Sequence, residues 1–482
     1  RITIIIVSTS SIVAGYNCEF CQPEQVHIAF GSNSFRVKEK SLIQNLTPSF
    51  VPLEGWGEKI LYTRYKPNDI VVTWTTFDKT KESRVQYGIG SMDQEASGIA
   101  SVFVDNGTEK RHMYIHRVTL LDLKFDTTYV YHVGSVYGWS ELFSFKTPPQ
   151  GEDWVVRAAI YGDMGSRNAH VSTYLIHANI VDSKSLSYLQ DEAQRGHFDV
   201  ILHVGDFAYD MHDDNARVGD EFMRQIQPLA AAVPYMVCPG NHDNFSNYRA
   251  RFSMPGDSES LFYSWDLGPV HFVSISTEVY YFLCYGVKLM TNQYDWLRED
   301  LTKATMPENR QVRPWIIMSR RPWIVLYGHR PMYCSNKDDI DCSFEYTRRG
   351  LPFLGLYALE PLLREFGVDV VIWAHEHSYE RTWPLYDLKV YNGSLEHPYT
   401  NPKAPVHIVT GSAGCKESTD PFKPEPEEWS AFRSSDYGYT RMFAHNRTHI
   451  HFQQVDVNLK GEIIDDFWII KEAHEPFYNL FD

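Results

Sequence analysis

Three things are scarce in this 482-residue sequence: long apolar runs, positive charge and cysteine. Spanning a bilayer takes roughly 20 consecutive apolar residues, and no segment reaches that length, so no transmembrane helix is expected and the mature chain is expected to be soluble. Lys and Arg number 45 against 61 Asp and Glu, a formal charge of −16. Such a surface repels other polyanions, which excludes broad binding to nucleic acid or anionic lipid. A small anionic substrate remains compatible, because a bound metal cluster dominates the field around it whatever the global charge. Seven cysteines are an odd number. Cys334 and Cys342 are spaced to close a short loop, Cys238 and Cys284 sit in apolar segments of strand type, and at least one thiol is expected to stay free.

What is present points to an exported protein with two domains. Apolar residues make up 43% and aromatics 14%, enough for large cores, and the length suits two domains better than one. Residues 1–15 combine one basic residue, an apolar stretch and small residues at Ala14 and Gly15, the pattern of a secretory signal remnant. Asn106, Asn244, Asn392 and Asn446 each precede Ser or Thr by two and are candidate glycosylation sites, whereas Asn45 is discounted because Pro48 follows Thr47. The expected destination is secreted or lysosomal.

Two grammars follow one another along the chain. "QVHIAF", "DIVVTWTTF", "SRVQYGI", "RHMYIHRVTL", "TTYVYHVGSV" and "ELFSFKT" alternate apolar and polar residues between turn formers, the signature of a β-sandwich. "TPPQGED" breaks that pattern as a linker. Beyond it "VVRAAIY", "FDVILHVGD", "PYMVCPG", "HFVSIST", "PWIVLYG", "DVVIWAH" and "PVHIVTG" are continuous apolar strands. Helical patterns lie between several of them, including "SKSLSYLQDEAQR" and "QYDWLREDLTKA". That order predicts a layered α/β domain, closed by a hairpin in "THIHFQQVDVNLKGEIIDDFWII".

The polar residues that follow those strands carry the chemistry, since open α/β sheets bind ligands beyond the carboxyl ends of their strands. Asp163 follows the first strand, Asp206 and Tyr209 the second, Asn241 and His242 the third, His329 a later one, and His375 and His377 another. A lone Gly-Asp or a lone His after a strand is ordinarily a turn or a structural residue. Five strand ends sharing one donor chemistry are not, and they predict a metal site. Two Asp, one Asn, one Tyr and three His exceed the four positions of a single zinc and suit two ions about 3.5 Å apart that share a carboxylate. With no Cys in the set, an iron–sulfur or structural zinc site is disfavoured. Tyr209 is the unusual donor, because a phenol titrates near pH 10 and needs a strongly acidic ion such as ferric iron.

The blocks "GDMG", "GDFAY", "GNHD", "GHRP" and "AHEH", in that order, together with "HSYER" and "NFSNYRARFSMPG", resemble the purple acid phosphatases within the calcineurin-like metallophosphoesterases. The likeness runs from about Gln25 to "RMFAHNRTHIHFQQV". It implies a fibronectin III-like β-sandwich over residues 23–147, followed by a four-layer α/β/β/α metallophosphoesterase domain over residues 154–472 that includes the C-terminal hairpin. It further implies that Asp163, Tyr209 and His377 hold a ferric ion, that Asp206 bridges, and that Asn241, His329 and His375 hold a second, divalent ion (Zn, Fe or Mn). The implied reaction is hydrolysis of small phosphate monoesters by in-line attack of a metal-bound hydroxide, with His242 as phosphate contact or proton donor. A phosphodiesterase or nucleotidase on the same framework is the rival within the enzyme class, and Tyr209 speaks against it. A glycosylated binding protein with a dead site is the other rival. The complete donor set speaks against that.

Three departures from the family pattern are visible. Ala374 stands where the last block usually has Gly. Asp338 and Asp339 stand where plant members carry a His pair, which leaves the general acid open. Residues 32–67 have no family counterpart and read either as a long surface loop or as a segment brought in by faulty splicing. In addition, Arg-Pro-Trp-Ile occurs at 313–316 and again at 321–324. Only the second copy runs directly into "YGHRP", so the strand is expected at Trp323 to Tyr327 and residues 313–320 are expected to be an accommodated insertion.

Overall fold

A strand that is apolar at every position must be covered on both faces, and this requirement organises the second domain. In the computed structural model of the chain, which describes residues 18, 20–36, 60–166, 185–283, 287–305, 321–337, 341–351, 354–414, 416–474 and 476–477, two sheets stack face to face. The first runs Tyr235–Cys238, Val200–Val204, Val156–Tyr161, Gly438–Ala444, His449–Asp456 and Glu462–Ile470. The second runs Tyr263–Leu267, Val270–Ser274, Trp323–Tyr327, Val370–Trp373, Val406–Thr410, Tyr379–Thr382 and Ser430–Ser434.

Alternate residues of one strand serve two cores. Val325, Tyr327, Val370 and Ile372 belong to the core shared with Ile160 and Val204 of the first sheet. Their neighbours Ile324, Leu326, Val371 and Trp373 pack instead with Leu297, Leu301, Leu362 and Leu363 of the helices Val287–Thr305 and Glu360–Phe366. On the outer side of the first sheet, Leu186, Leu189, Phe222 and Ile226 join the main core from the helices Ser185–Gln194 and Asp213–Ala230. The result is the expected helix, sheet, sheet, helix layering.

The second copy of the repeated phrase forms the strand. Trp323–Tyr327 lies parallel between Val270–Ser274 and Val370–Trp373. The first copy lies outside the described residues, as do residues 1–15, Cys284, Asp338 and Asp339. The C-terminal hairpin is present, and Gly438–Ala444 joins it to the sheet by pairing antiparallel with Val156–Tyr161.

Ahead of this domain lie a four-stranded and a five-stranded sheet, the predicted sandwich. The reading of residues 32–67 as a surface loop needs correction at its ends. The strands Glu24–Arg36 and Ile60–Thr76 continue their pairing through Ser32↔Tyr65, Asn33↔Arg64 and Ser34↔Thr63. The two ends of the insertion therefore prolong a hairpin, and its middle lies outside the described residues. Strands such as Gln94–Ser97 and Ile99–Val104 were not legible in the sequence, because their residues are largely exposed and carry no burial pattern.

Cys334 and Cys342 form a disulfide as their spacing predicted, Cys18 and Cys21 form another, and Cys238 is a buried free thiol. No helix among the described residues is long and apolar enough to cross a membrane.

A buried charge cluster ties the sandwich to the second domain. Arg251 and Asp220 are each 1% exposed and 2.9 Å apart. From the sandwich side, Arg111 reaches the same carboxylate at 2.7 Å, and the Gln25 side-chain oxygen accepts from Arg251 at 3.1 Å. Removing one partner of such a buried pair strands the other charge and costs about 3–5 kcal/mol. Asp220→Asn is therefore expected to lower the unfolding free energy by about that amount in a denaturant titration. A loss below about 1 kcal/mol, the scale of an exposed pair, would show that the cluster does not join the domains.

Candidate metal centre

Four of the predicted ligands stand in one relation to their strands: the strand ends, one small residue follows, and the ligand comes next. Val156–Tyr161 is followed by Gly162 and Asp163, Val200–Val204 by Gly205 and Asp206, Trp323–Tyr327 by Gly328 and His329, and Val370–Trp373 by Ala374 and His375. Asn241 lies three residues beyond Tyr235–Cys238. Close approach requires the small residues. A Cβ on Gly205, whose φ is +82°, would lie 2.8 Å from the His329 ring carbon. The chain then turns sharply, for Asp163, Asp206, Tyr209 and His375 have φ of 59°, 51°, 48° and 69°. Left-handed backbone at residues with a Cβ costs of order 1–3 kcal/mol each, and such strain collects at functional sites.

All seven predicted ligands come together, in two linked groups. In one, the Tyr209 hydroxyl lies 2.9 Å from Asp163 Oδ1 and 2.8 Å from His377 Nε2. In the other, His329 Nε2 lies 3.1 Å from Asn241 Oδ1 and 3.2 Å from Asp206 Oδ2, and donor atoms of Asp206, His329 and His375 lie within 4.8 Å of one another. The backbone N–H of His375 donates to Asp163 Oδ2 at 2.9 Å and so connects the groups.

Hydrogen bonds behind the ligands aim them. His329 Nδ1 faces the Val204 carbonyl at 2.9 Å, and His377 Nδ1 faces the Ser418 carbonyl at 2.9 Å. A carbonyl only accepts, so each Nδ1 carries the proton and each Nε2 is turned toward the centre. Asp243 accepts from the backbone N–H groups of Asp206, Phe207 and Gly240, clamping two ligand loops together. Asp420 accepts the His377 N–H at 2.7 Å. Asp243 was visible in "GNHD" only as part of a turn. Ser418 and Asp420 lie in a polar loop with no sequence signal.

This donor set suits cations. In the first group one phenolic proton stands between Asp163 Oδ1 and the lone pair of His377 Nε2. In the second group a nitrogen and two oxygens converge. Burial works against an imidazolium there, but the Asp206 and Asp163 carboxylates outweigh it and push His329 up. Burial likewise opposes ionisation of Asp206, yet His329 and His242 hold it well below the usual carboxylate range.

His242 lies at the mouth, with 28% of its side chain exposed. It stacks on Tyr209 at 4.6 Å, and its Nδ1 lies 2.8 Å from Asp210 Oδ1. Burial alone would lower its pKa, but Asp210 and Asp206 push it up to about 9. Asp210 was passed over in the sequence, although a carboxylate directly after Tyr209 was the available signal. Of the candidate glycosylation sites, Asn106 and Asn446 are exposed, while Asn244 and Asn392 are half-buried. Asn244 also caps the helix Phe245–Arg251.

The two-sheet layering and this donor set define a metallophosphoesterase. Family models match in three consecutive pieces: "Purple acid Phosphatase, N-terminal domain" over 59–147, "Calcineurin-like phosphoesterase" over 156–379, and "Iron/zinc purple acid phosphatase-like protein C" over 404–466. Acid phosphatase type 7 of Danio rerio is 52% identical over 423 residues, covering 85% of this chain and 90% of that protein. Acid phosphatase type 7 of Homo sapiens is 50% identical over 414 residues, covering 84% and 89%. A purple acid phosphatase from yellow lupin (Lupinus luteus) seeds superposes with a TM-score of 0.67 at 23% identity, covering 93% of this chain and 74% of that one, which shows the shared fold. The chain belongs to the purple acid phosphatase family, and it is an acid phosphatase. The family implies a binuclear metal centre.

Ala374, the departure noted in the last block, does not take a positive φ; His375 does. Its methyl group instead fills space beside Gly162, where an added Cβ would overlap it. Gly162→Ala is therefore expected to destabilise the fold by about 1–3 kcal/mol through overpacking, and Ala374→Gly in the same chain should restore part of that loss. Denaturant midpoints of the single and double variants measure the coupling. Equal stability of Gly162→Ala and the parent chain would refute it.

Proposed function

We propose that the enzyme hydrolyses small phosphate monoesters at a centre in which Asp163, Tyr209 and His377 hold a ferric ion, Asp206 bridges, and Asn241, His329 and His375 hold a divalent ion. The observation that carries this reading is the meeting of the Tyr209 hydroxyl with Asp163 and His377 at 2.9 and 2.8 Å. A phenolate suits a hard, strongly acidic ion, and imidazoles with an amide oxygen suit a softer one. When bound, the two ions would supply charge to neutralise the phosphoryl oxygens and would acidify a water.

The chain's own groups do the rest. His242 stands half-exposed over the centre, and its Nδ1–H donates to Asp210. The other ring nitrogen is left to present a proton to the leaving alcohol or to a phosphoryl oxygen. The Asp206 backbone and carboxylate are fixed by Asp243 and by the His242 N–H, so the donors stay in place without help from substrate.

We also read residues 23–147 and 154–472 as the two domains, Asn106, Asn244, Asn392 and Asn446 as glycosylation sites, and the secretory pathway as the route. The charge of −16 supports small phosphorylated substrates over nucleic acid.

Purified protein is expected to contain two metal ions per chain, to show a visible tyrosinate-to-iron band, and to hydrolyse p-nitrophenyl phosphate in the acid range. Absence of both the band and acid activity would sink the assignment. Asp206→Asn is expected to lose both ions by metal analysis. His242→Ala should keep them and turn over more slowly, by about 10²–10⁴-fold if it is the proton donor; full activity in Asp206→Asn would refute the bridging role.

A further inference from the structure

A second set of metal-type donors meets beside the first. Glu376 stands in the chain between His375 and His377, and Cys334 lies five residues beyond His329. The sulfurs of Cys334 and Cys342 and a carboxylate oxygen of Glu376 all lie within 4.8 Å of one another. Cys334 is 6% and Glu376 1% exposed, while Cys342 is half-buried. The two sulfurs form a disulfide, whereas the thiolate is the form of cysteine that binds metal.

We propose that reduction of Cys334–Cys342 creates a further metal site, in which two thiolates and the Glu376 carboxylate hold a soft divalent ion such as zinc or cadmium. Exchange with a dithiol breaks the Cys334–Cys342 bond, leaves two protein thiols and closes the reagent into its own disulfide, so two electrons and two protons pass to the protein. The incoming ion then displaces both thiol protons into solvent. Thiolates select ions of this kind.

The geometry suits the change. Two thiolates on one tetrahedral ion sit about 3.8 Å apart, given metal–sulfur bonds of about 2.3 Å. The Cα atoms are 5.2 Å apart, a spacing from which both side chains can swing to that separation. Other bonds hold the frame on either side of the disulfide. Ser335, next to Cys334, donates to Glu380 from its N–H at 2.9 Å and from its hydroxyl at 2.6 Å. Beyond Cys342, the Phe344 carbonyl accepts from the Tyr281 hydroxyl at 2.9 Å. The Glu376 backbone is pinned in a tight turn, where its carbonyl accepts the Ser378 N–H at 2.7 Å.

Cadmium titration of the purified protein tests the site, before and after treatment with dithiothreitol that is then removed without oxygen. Cys18 and Cys21 form another reducible pair, so the reduced parent is compared with a reduced Cys334→Ser, Cys342→Ser chain that keeps them. The parent is expected to bind one more cadmium ion than that chain, with an ultraviolet thiolate-to-cadmium band to match, and to lose both on reoxidation. Glu376→Gln should weaken this binding at least about tenfold, since even residues that only orient a ligand are worth that much. Equal uptake by the parent and the double variant would overturn the proposal. So would the absence of a sulfur band in the reduced parent, or undiminished affinity in Glu376→Gln. Cadmium exchanged into the binuclear centre adds no sulfur band, because that donor set contains no Cys, so the two readings fail separately.

Discussion

Too many lone pairs meet in one buried place, and the rest of the structure is arranged around that fact. Between Tyr209, Asp163 and His377 a single phenolic proton serves two acceptors. Between His329, Asn241 and Asp206 a nitrogen faces two oxygens. Groups of this kind repel one another unless a positive charge stands among them, which is why the set suits metal ions and why burying it would otherwise be costly.

The two sheets divide the donor chemistry between them. Asp163, Asp206, Tyr209 and Asn241 follow strands of the first sheet and offer oxygen, whereas His329, His375 and His377 follow strands of the second and offer nitrogen. Neither sheet alone holds a complete set, so the centre exists only once the two are packed face to face. The same packing explains the strand composition, since residues such as Val325 and Leu326 each need an apolar neighbour on opposite faces. Left-handed turns at Asp163, Asp206, Tyr209 and His375 are the local strain that this assembly sustains.

Much of this was legible in the chain. Apolar runs ending in Gly-Asp, Asn-His and Gly-His announced the strands and placed the ligand candidates at their ends, because a strand buried on both faces leaves its polar residues only at its ends. The doubled Arg-Pro-Trp-Ile phrase was resolved by reach: only the second copy places His329 at the end of a strand. Less legible were the parts whose signal is spread over distant residues. Exposed edge strands such as Ile99–Val104 show no periodicity of burial. The pairing of residues 32–36 with 60–65 looked like loop, since insertions with polar and Gly residues read that way whatever they pair with.

By itself, then, the sequence determined the class of domains and named the seven ligand candidates, because donor chemistry and strand periodicity are local properties. Tertiary structure alone decided what stands behind those ligands. Val204 and Ser418 carbonyls orient two histidines, Asp243 clamps two loops, Asp210 meets His242, and Glu278 holds Arg330 against His375. These are contacts between residues up to 125 positions apart. Hydrogen bonds act over about 3 Å, and only the folded chain brings such groups that close.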